Sequence, residues 1–525
     1  MQAVFGQLSC LPLLVMLSAA CLPNRLVNRH AVAFRRGVTG LAALNTAAAV
    51  LMLLLTQLPG AEPLTIGPMP LISLSFYLNG AAALMLTLVA GAGWLICRYS
   101  IRYLDGEPHQ GRYFRWTTFT IGAVSLAVMT SNLLILAAAL LCTSLGLHQL
   151  LVHYADRPAA HRAAAMKFLF SRLGDIGLLT AAIALYREFG TFELPEIFAA
   201  VGGLTPSQLA DSTAVLVAGW ALVLCAIFKS AQFPFHTWLP ETMEAPTPVS
   251  ALMHAGIVNA GGYLLIRMMP IVSLQPSALM FVAGIGTLTA VTAALAMLSQ
   301  TSIKRKLAWS TIAQMGFMML QCGLGAFSAA MLHIVAHSLY KAHAFLSSGS
   351  VVAERAGMTA APVAPSGRRS HVAAFLLSTA TTFGLFSVLA TVAGISVTTK
   401  PGGLILGFLL CLGIIHWMSR MFLTGRVFAL TGVSIAAVLL AAYFTTFLMV
   451  DHIVKPSPVA SSAADVLTTT GFLLVVAAAF SGLFVMEVMG ARARSSKFLQ
   501  QLYVHSSNGF YVDAFWRNIG RSFHS

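Results

Sequence analysis

Residues 228 to 267 read FKSAQFPFHTWLPETMEAPTPVSALMHAGIVNAGGYLLIR. Lys229, His236, His254, Glu241, Glu244 and four prolines interrupt a stretch that otherwise has the apolar character of a membrane-buried helix. Ionisable side chains are costly in hydrocarbon and face a protein interior or a wet cavity, so this stretch is a functional candidate from the outset. Upstream the chain runs apolar from Ser212 to Lys229, and Pro234 follows five residues later. Proline has no N–H and disrupts the bond to the carbonyl near Ser230, so the helix is expected to break beside the lysine. Pro234, Pro246 and Pro248 are the expected helix-breaking residues. Broken helices at membrane depth are tolerated where they line a cavity, and in transporters they build ion sites. The other reading of Lys229 is a side chain that snorkels to the interface from a span end.

The rest of the chain sets the class. Of 525 residues, 58% are hydrophobic and 9% charged, which excludes a soluble globular surface. A span needs roughly 20 apolar residues to cross about 30 Å of hydrocarbon. Such runs recur along nearly the whole length, leaving no room for a separate soluble catalytic domain. An all-α polytopic membrane protein with about fifteen transmembrane helices is expected. The first apolar run, VFGQLSCLPLLVMLSAACL, lacks a basic region before it and reads as a retained span. Cys10, Cys21, Cys97, Cys142, Cys225, Cys322 and Cys411 stand singly, without a CxxC pair. With no glycine-rich phosphate loop and no HExxH, neither nucleotide nor metal chemistry is indicated, and no cofactor is expected in this chain.

The net charge of +15 is better explained by topology than by nucleic acid. Arg25, Arg29, Arg35 and Arg36 fill one connection, and the next, near Glu62, has no Lys or Arg. Arg98, Arg102, Arg112 and Arg115 follow, then the bare turn at Ser131 and Asn132, then Arg157 and Arg162, then acidic REFGTFELPEIF. Lys304 to Lys306, Arg355, Arg368, Arg369, Arg420, Arg426, Arg492, Arg494 and Lys497 continue the alternation. This predicts an N-terminus outside and a C-terminus in the cytoplasm. MTAAPVAPSGRRSH, residues 358 to 371, reads as a cytoplasmic linker between helix groups. KFLQQLYVHSSNGFYVDAFWRNIGRS is too polar to cross and is placed at the cytoplasmic surface or against a partner.

In AAMLHIVAHSLYKAHAFLSSGS, His333, His337 and Lys341 are spaced by four. On a helix they form one slowly drifting stripe that climbs roughly 6 Å per step. Histidine's pKa of about 6.5 suits a proton carrier, and water bridges neighbours too distant for direct contact. A single histidine here would read as a satisfied packing residue; three titratable groups on one face read as a polar conduit.

KSAQFPFHTWLPETMEAPTPVSALMHAG, SIKRKLAWSTIAQMGFM and HIVAHSLYKAHAFLSSGSV resemble the antiporter-like subunits of respiratory complex I and of multisubunit cation/proton antiporters, over roughly residues 70 to 355. The resemblance implies an inverted pair of helix groups with a central polar axis. It assigns ion-translocating positions to Lys229, His254, Lys304, His333, His337 and Lys341, and through SRLGD to Arg172 and Asp175. It divides the chain into N-terminal helices (1–113), a translocating core (114–355), the linker (356–371), C-terminal helices (372–490) and an amphipathic tail (491–525).

Two departures stand out. The family places a glutamate after its NLL turn, whereas NLLILAAALLCTSLGLHQLL has no carboxylate, leaving Asp175 the nearest counter-charge for Lys229 by sequence. After Arg369 the fit is poor, with Lys400 and His416 as weak substitutes for a mid-span lysine, and the lateral helix of the complex I chain has no counterpart. Together with MHAGIVNAGG, TSLGLHQLL and NGFYVDAFWRN, these departures are similar to the DabB family of inorganic carbon accumulation systems. That resemblance implies a DabA-like zinc partner whose carbon dioxide hydration is driven by inward flow of H⁺ or Na⁺, with zinc in the partner. The alternatives are a proton-pumping subunit of a respiratory complex, hydrogenase or Na⁺/H⁺ antiporter, and a structural anchor that conducts nothing.

Overall fold

Runs of Ala, Leu and Val bounded by Asn, Ser, Pro and Gly set the limits of the helices. The computed structural model describes residues 12–58, 64–66, 75–205, 208, 212–349, 368–394, 401–424, 426–455, 466–490 and 496–522. The principal helices of the first part are α1 Ala31–Leu55, α2 Gly80–Tyr103, α3 Gln110–Met129, α4 Leu133–Leu151, α5 Pro158–Phe189 and α6 Thr213–Lys229. α7 Thr247–Ala255 and α8 Ala260–Arg267 form one interrupted span, followed by α9 Pro276–Ser299, α10 Ile303–Gly323 and α11 Phe327–Leu346. α12 Arg368–Val392, α13 Pro401–Thr424, α14 Arg426–Val454 and α15 Val466–Gly490 follow, and the tail forms α16 Lys497–Ser507 and α17 Val512–Ser522. A short antiparallel ribbon pairs β1 Leu64–Ile66 with β2 Phe76–Leu78, Leu64 opposite Leu78. The expected linker lies outside the described residues except for 368–371, as do Glu62, Arg355, Lys400, Arg492 and Arg494.

Local chemistry accounts for the helix ends. Asn132 caps α4 by accepting from the N–H groups of Leu134 (2.9 Å) and Ile135 (3.3 Å), and Ser212 caps α6 through Val215 (3.2 Å). Pro158 opens α5, and Gly190 closes it at φ +72°, where a side chain would be strained.

Among the described residues, eight helices are long and apolar enough to cross a membrane, and five shorter apolar ones accompany them. α3, α10 and α11 are 20, 21 and 20 residues long. With the ten-residue Leu194–Gly203 set aside as a connection, this agrees with about fifteen spans in a multi-pass membrane protein.

The helix ends sort onto two faces. On one, Arg35 pairs with Asp105 (2.9 Å) and donates to Gln110 (3.0 Å), while Arg157 pairs with Glu244 (3.1 Å). On the other, Glu193 accepts from Ser75, from Ser131 and from Asn132 Nδ2 (2.9 Å), joining three connections. Buried Arg267, at the end of α8, donates to the carbonyls of Tyr77 (2.7 Å) and Thr130 (3.0 Å) on that second face. Small residues allow close contact between helices: a Cβ on Gly316 of α10 would stand 2.5 Å from the Ala290 nitrogen of α9.

Candidate functional site

α6 ends at Lys229, and the next residues leave helical geometry, with Ala231 at φ +49°. Lys229 does not snorkel. Its side chain is 6% exposed, and Nζ lies 2.5 Å from Oδ1 of Asp175 on α5. Arg172, one turn earlier on α5, reaches Oδ2 at 2.8 Å. One carboxylate thus faces two cations at the helix break. Gly174 makes room for this, since a Cβ there would meet the Lys229 Cγ at 3.0 Å. Lys167 lies two turns from Asp175 on α5, 4% exposed, with Nζ donating to Ser144 Oγ (2.8 Å) and to its carbonyl (3.3 Å). Sequence reasoning passed over Lys167; a lysine inside the AAMKFLFSRLGD run was the available signal.

The second break falls in the middle of residues 247–267, where Gly256 to Asn259 separate α7 from α8. Pro246 and Pro248 sit at the N-cap and first turn of α7, where a missing N–H is harmless, so they start this helix, and the interruption comes at Gly256. Pro234 lies in the turn after α6. The two breaks are joined to each other: Ser230 Oγ donates to the Val258 carbonyl (2.8 Å) and accepts from the Gly261 N–H (3.1 Å). Asn259 Nδ2 then donates to Ser338 Oγ on α11 (2.9 Å). Backbone groups freed at the two breaks are satisfied by polar side chains, the Ser230 carbonyl by Gln232 Nε2 (2.8 Å) and the Phe233 N–H by Thr289 Oγ1 (3.0 Å) besides the Ser230 bonds, which is what makes such a site tolerable in a membrane. Ser230, Asn259 and Ser338 were not predicted, because a lone Ser or Asn in an apolar helix has no sequence signature.

α11 carries the titratable file next to Ser338. The His333 and His337 rings stack with centroids 5.9 Å apart, and Lys341, fully buried, donates Nζ to the Leu307 carbonyl (3.1 Å). His254 of α7 is fully buried, with its ring stacked on Phe345 of α11 at 4.4 Å. Both ring nitrogens of His254 and of His337, and Nε2 of His333, are buried without a protein hydrogen-bond partner. His333 opens onto a cavity of about 590 Å³ lined also by Gln314, Gln321, Tyr443 and Phe480, between α9 to α11 and the C-terminal helices.

Not every charged residue of the opening stretch joins this seam. Glu244 is exposed and pairs with Arg157, and Glu241 faces Arg305 at 3.9 Å. Lys304 stands in the first turn of α10, half-buried at the Arg157 face and outside the seam. His236 is buried and packs its ring on Trp309 at 5.3 Å. His416 on α13 lies against Phe484.

Two interrupted spans joined at their breaks, with an ion pair on one side and a histidine–lysine file on the other, define a membrane subunit of the antiporter class. The match to the NADH:quinone oxidoreductase/Mrp antiporter transmembrane family covers residues 130–439, and a match to the N-terminal segment of complex I chain 5 covers residues 65–114. The chain belongs to this family. Within it, the chain is 39% identical over 467 residues to the probable inorganic carbon transporter subunit DabB2 of Halothiobacillus neapolitanus, covering 86% of this chain and 81% of that one. It is 38% identical over 285 residues to NADH-quinone oxidoreductase subunit L of Escherichia coli, covering 54% and 46%. The solved Mrp complex of Dietzia sp. DQ12-45-1b superimposes with a TM-score of 0.58 at 27% identity, over 95% of this chain and 52% of that one.

Proposed function

We propose that this chain is the membrane subunit of an inorganic carbon accumulation complex, carrying protons inward down their gradient to drive a DabA-like, zinc-containing partner that hydrates carbon dioxide. The observation that carries the reading is the row of largely buried polar groups that runs from Asp175–Lys229 past Ser230, Asn259 and Ser338 to His337, Lys341 and His254. Buried polar atoms are normally satisfied, so unpartnered imidazole nitrogens along such a seam suit a file of water and mobile protons. Asp175 is already committed to Lys229 and Arg172, which favours protons over Na⁺ as the coupling ion. The zinc belongs to the partner and hydration is its chemistry; this chain acts as a transporter subunit of the bacterial inner membrane, with its N-terminus outside and its tail cytoplasmic. The likeness to subunit L favours a respiratory or antiporter subunit as the second reading. A reading frame for a zinc protein beside this one decides for carbon uptake, and a set of redox or antiporter subunits decides for the second.

Each elementary charge crossing 100 mV supplies about 2.3 kcal/mol, enough to bias a near-balanced hydration more than tenfold. Cells carrying both proteins should therefore lose their internal inorganic carbon pool when a protonophore is added. The Lys229→Ala form should fail to accumulate while remaining inserted and bound to its partner. A protonophore-resistant pool equal in the two strains would sink the coupling, and collapse only with a sodium ionophore would change the ion.

A further inference from the structure

The tail is seated on the chain's own broken helix. α16 packs across the end of α9, where Gln300 Nε2 reaches the Ser507 carbonyl at 3.5 Å. Gly509, Phe510 and Tyr511 then follow one another in the left-handed region (φ +58°, +54° and +60°), with Gly509 against the Trp309 ring. Non-glycine residues hold that conformation when surrounding contacts impose it. The contacts that follow come from α17: the Trp516 indole N–H donates to the Pro234 carbonyl at 2.9 Å, and its ring meets Phe170 of α5 (5.1 Å) and Phe235 (5.6 Å). Phe235 in turn packs on Phe170 (5.5 Å) and on Phe228 (4.6 Å), the residue before Lys229. Phe170 stands two residues before Arg172 on α5. The Pro234 carbonyl lies in the turn that follows the break, and the indole supplies its donor from 282 positions away.

We propose that Trp516 is a positioning residue for the broken-helix site: held from the tail, it fixes the Gln232–His236 turn and so the placement of Lys229 against Asp175. The tail thereby becomes the lever by which events at the Lys304 face act on the ion path. This rests on the proton-conducting reading given above. Phe498, on α16, is 62% exposed and serves as the control.

The test uses the full chain with its partner, reading amide hydrogen exchange over residues 230–240 together with inorganic carbon uptake. Trp516→Phe keeps the ring and removes the donor; it should speed exchange in that segment by about three- to tenfold, the size of one lost hydrogen bond, and lower uptake several-fold. Trp516→Ala should exceed both effects, while Phe498→Ala should produce neither, and exchange in α9 should stay unchanged throughout. Unchanged exchange over 230–240 in both Trp516 variants would overturn the proposal. Faster exchange with wild-type uptake would overturn the tail's control of the path. Faster exchange in a protein whose wild-type form carries no coupled flux would support the positioning role and reject the transport reading instead.

Discussion

Asp175 is the residue on which the first half of the seam turns, because its two oxygens face Lys229 and Arg172 inside the bundle. Removing one partner of a buried ion pair leaves an uncompensated charge and costs about 3–5 kcal/mol, far more than the pair itself contributes over an apolar substitute. Asp175→Asn should therefore lower the melting temperature of the purified complex and abolish uptake, whereas loss of the exposed Asp105 partner of Arg35 should change stability by less than about 1 kcal/mol. Lys229→Arg should also be inactive, since the larger planar guanidinium does not fit the close space beside Gly174 that seats the lysine on Asp175. Lys229, His333, His337 and Lys341 were legible as single residues because titratable groups stand out in apolar sequence. Lys167 was equally visible in principle, but only its fold neighbour Ser144 shows that it is buried and not snorkelling.

At the scale of elements, the break beside Lys229 follows from Pro234, but the break between α7 and α8 does not follow from Pro246 and Pro248. Prolines stop a helix only in its interior; at the first turn they fit, and there they initiate α7. Gly256, at φ −124° and ψ −68°, gives the actual interruption, supported by hydrogen bonds from another helix that no local rule predicts. Two substitutions separate conduction from packing. His337→Leu keeps the α11 face filled and should stop proton passage, measured as pH change in proteoliposomes, with assembly intact; passage that survives would place the path elsewhere. Gly316→Leu should instead prevent the close approach of α9 and α10 and reduce the amount of folded protein recovered, since its Cβ would stand 2.5 Å from the Ala290 nitrogen and 2.7 Å from the Gly286 carbonyl oxygen.

For the whole molecule, the Arg35 and Arg157 connections lie on one face with Lys304 and the tail, and the Glu193 cluster lies on the other. Tags at the two ends, probed in intact cells and in inverted vesicles, should be accessible on opposite sides, the C-terminal one from the cytoplasm; both on one side would overturn the span count. Composition alone determined that the chain is a helical membrane protein, because hydrocarbon admits long apolar segments only with their backbone bonds satisfied within the helix. Charge alternation and the four-residue spacing on α11 were likewise readable, being properties of neighbours along the chain. The Asp175–Lys229 pair, the Ser230 link between breaks and the tail's indole on Pro234 join residues 54, 28 and 282 positions apart. Such contacts depend on how helices pack, and packing is decided by the fit of many side chains at once, so only the tertiary structure could place them.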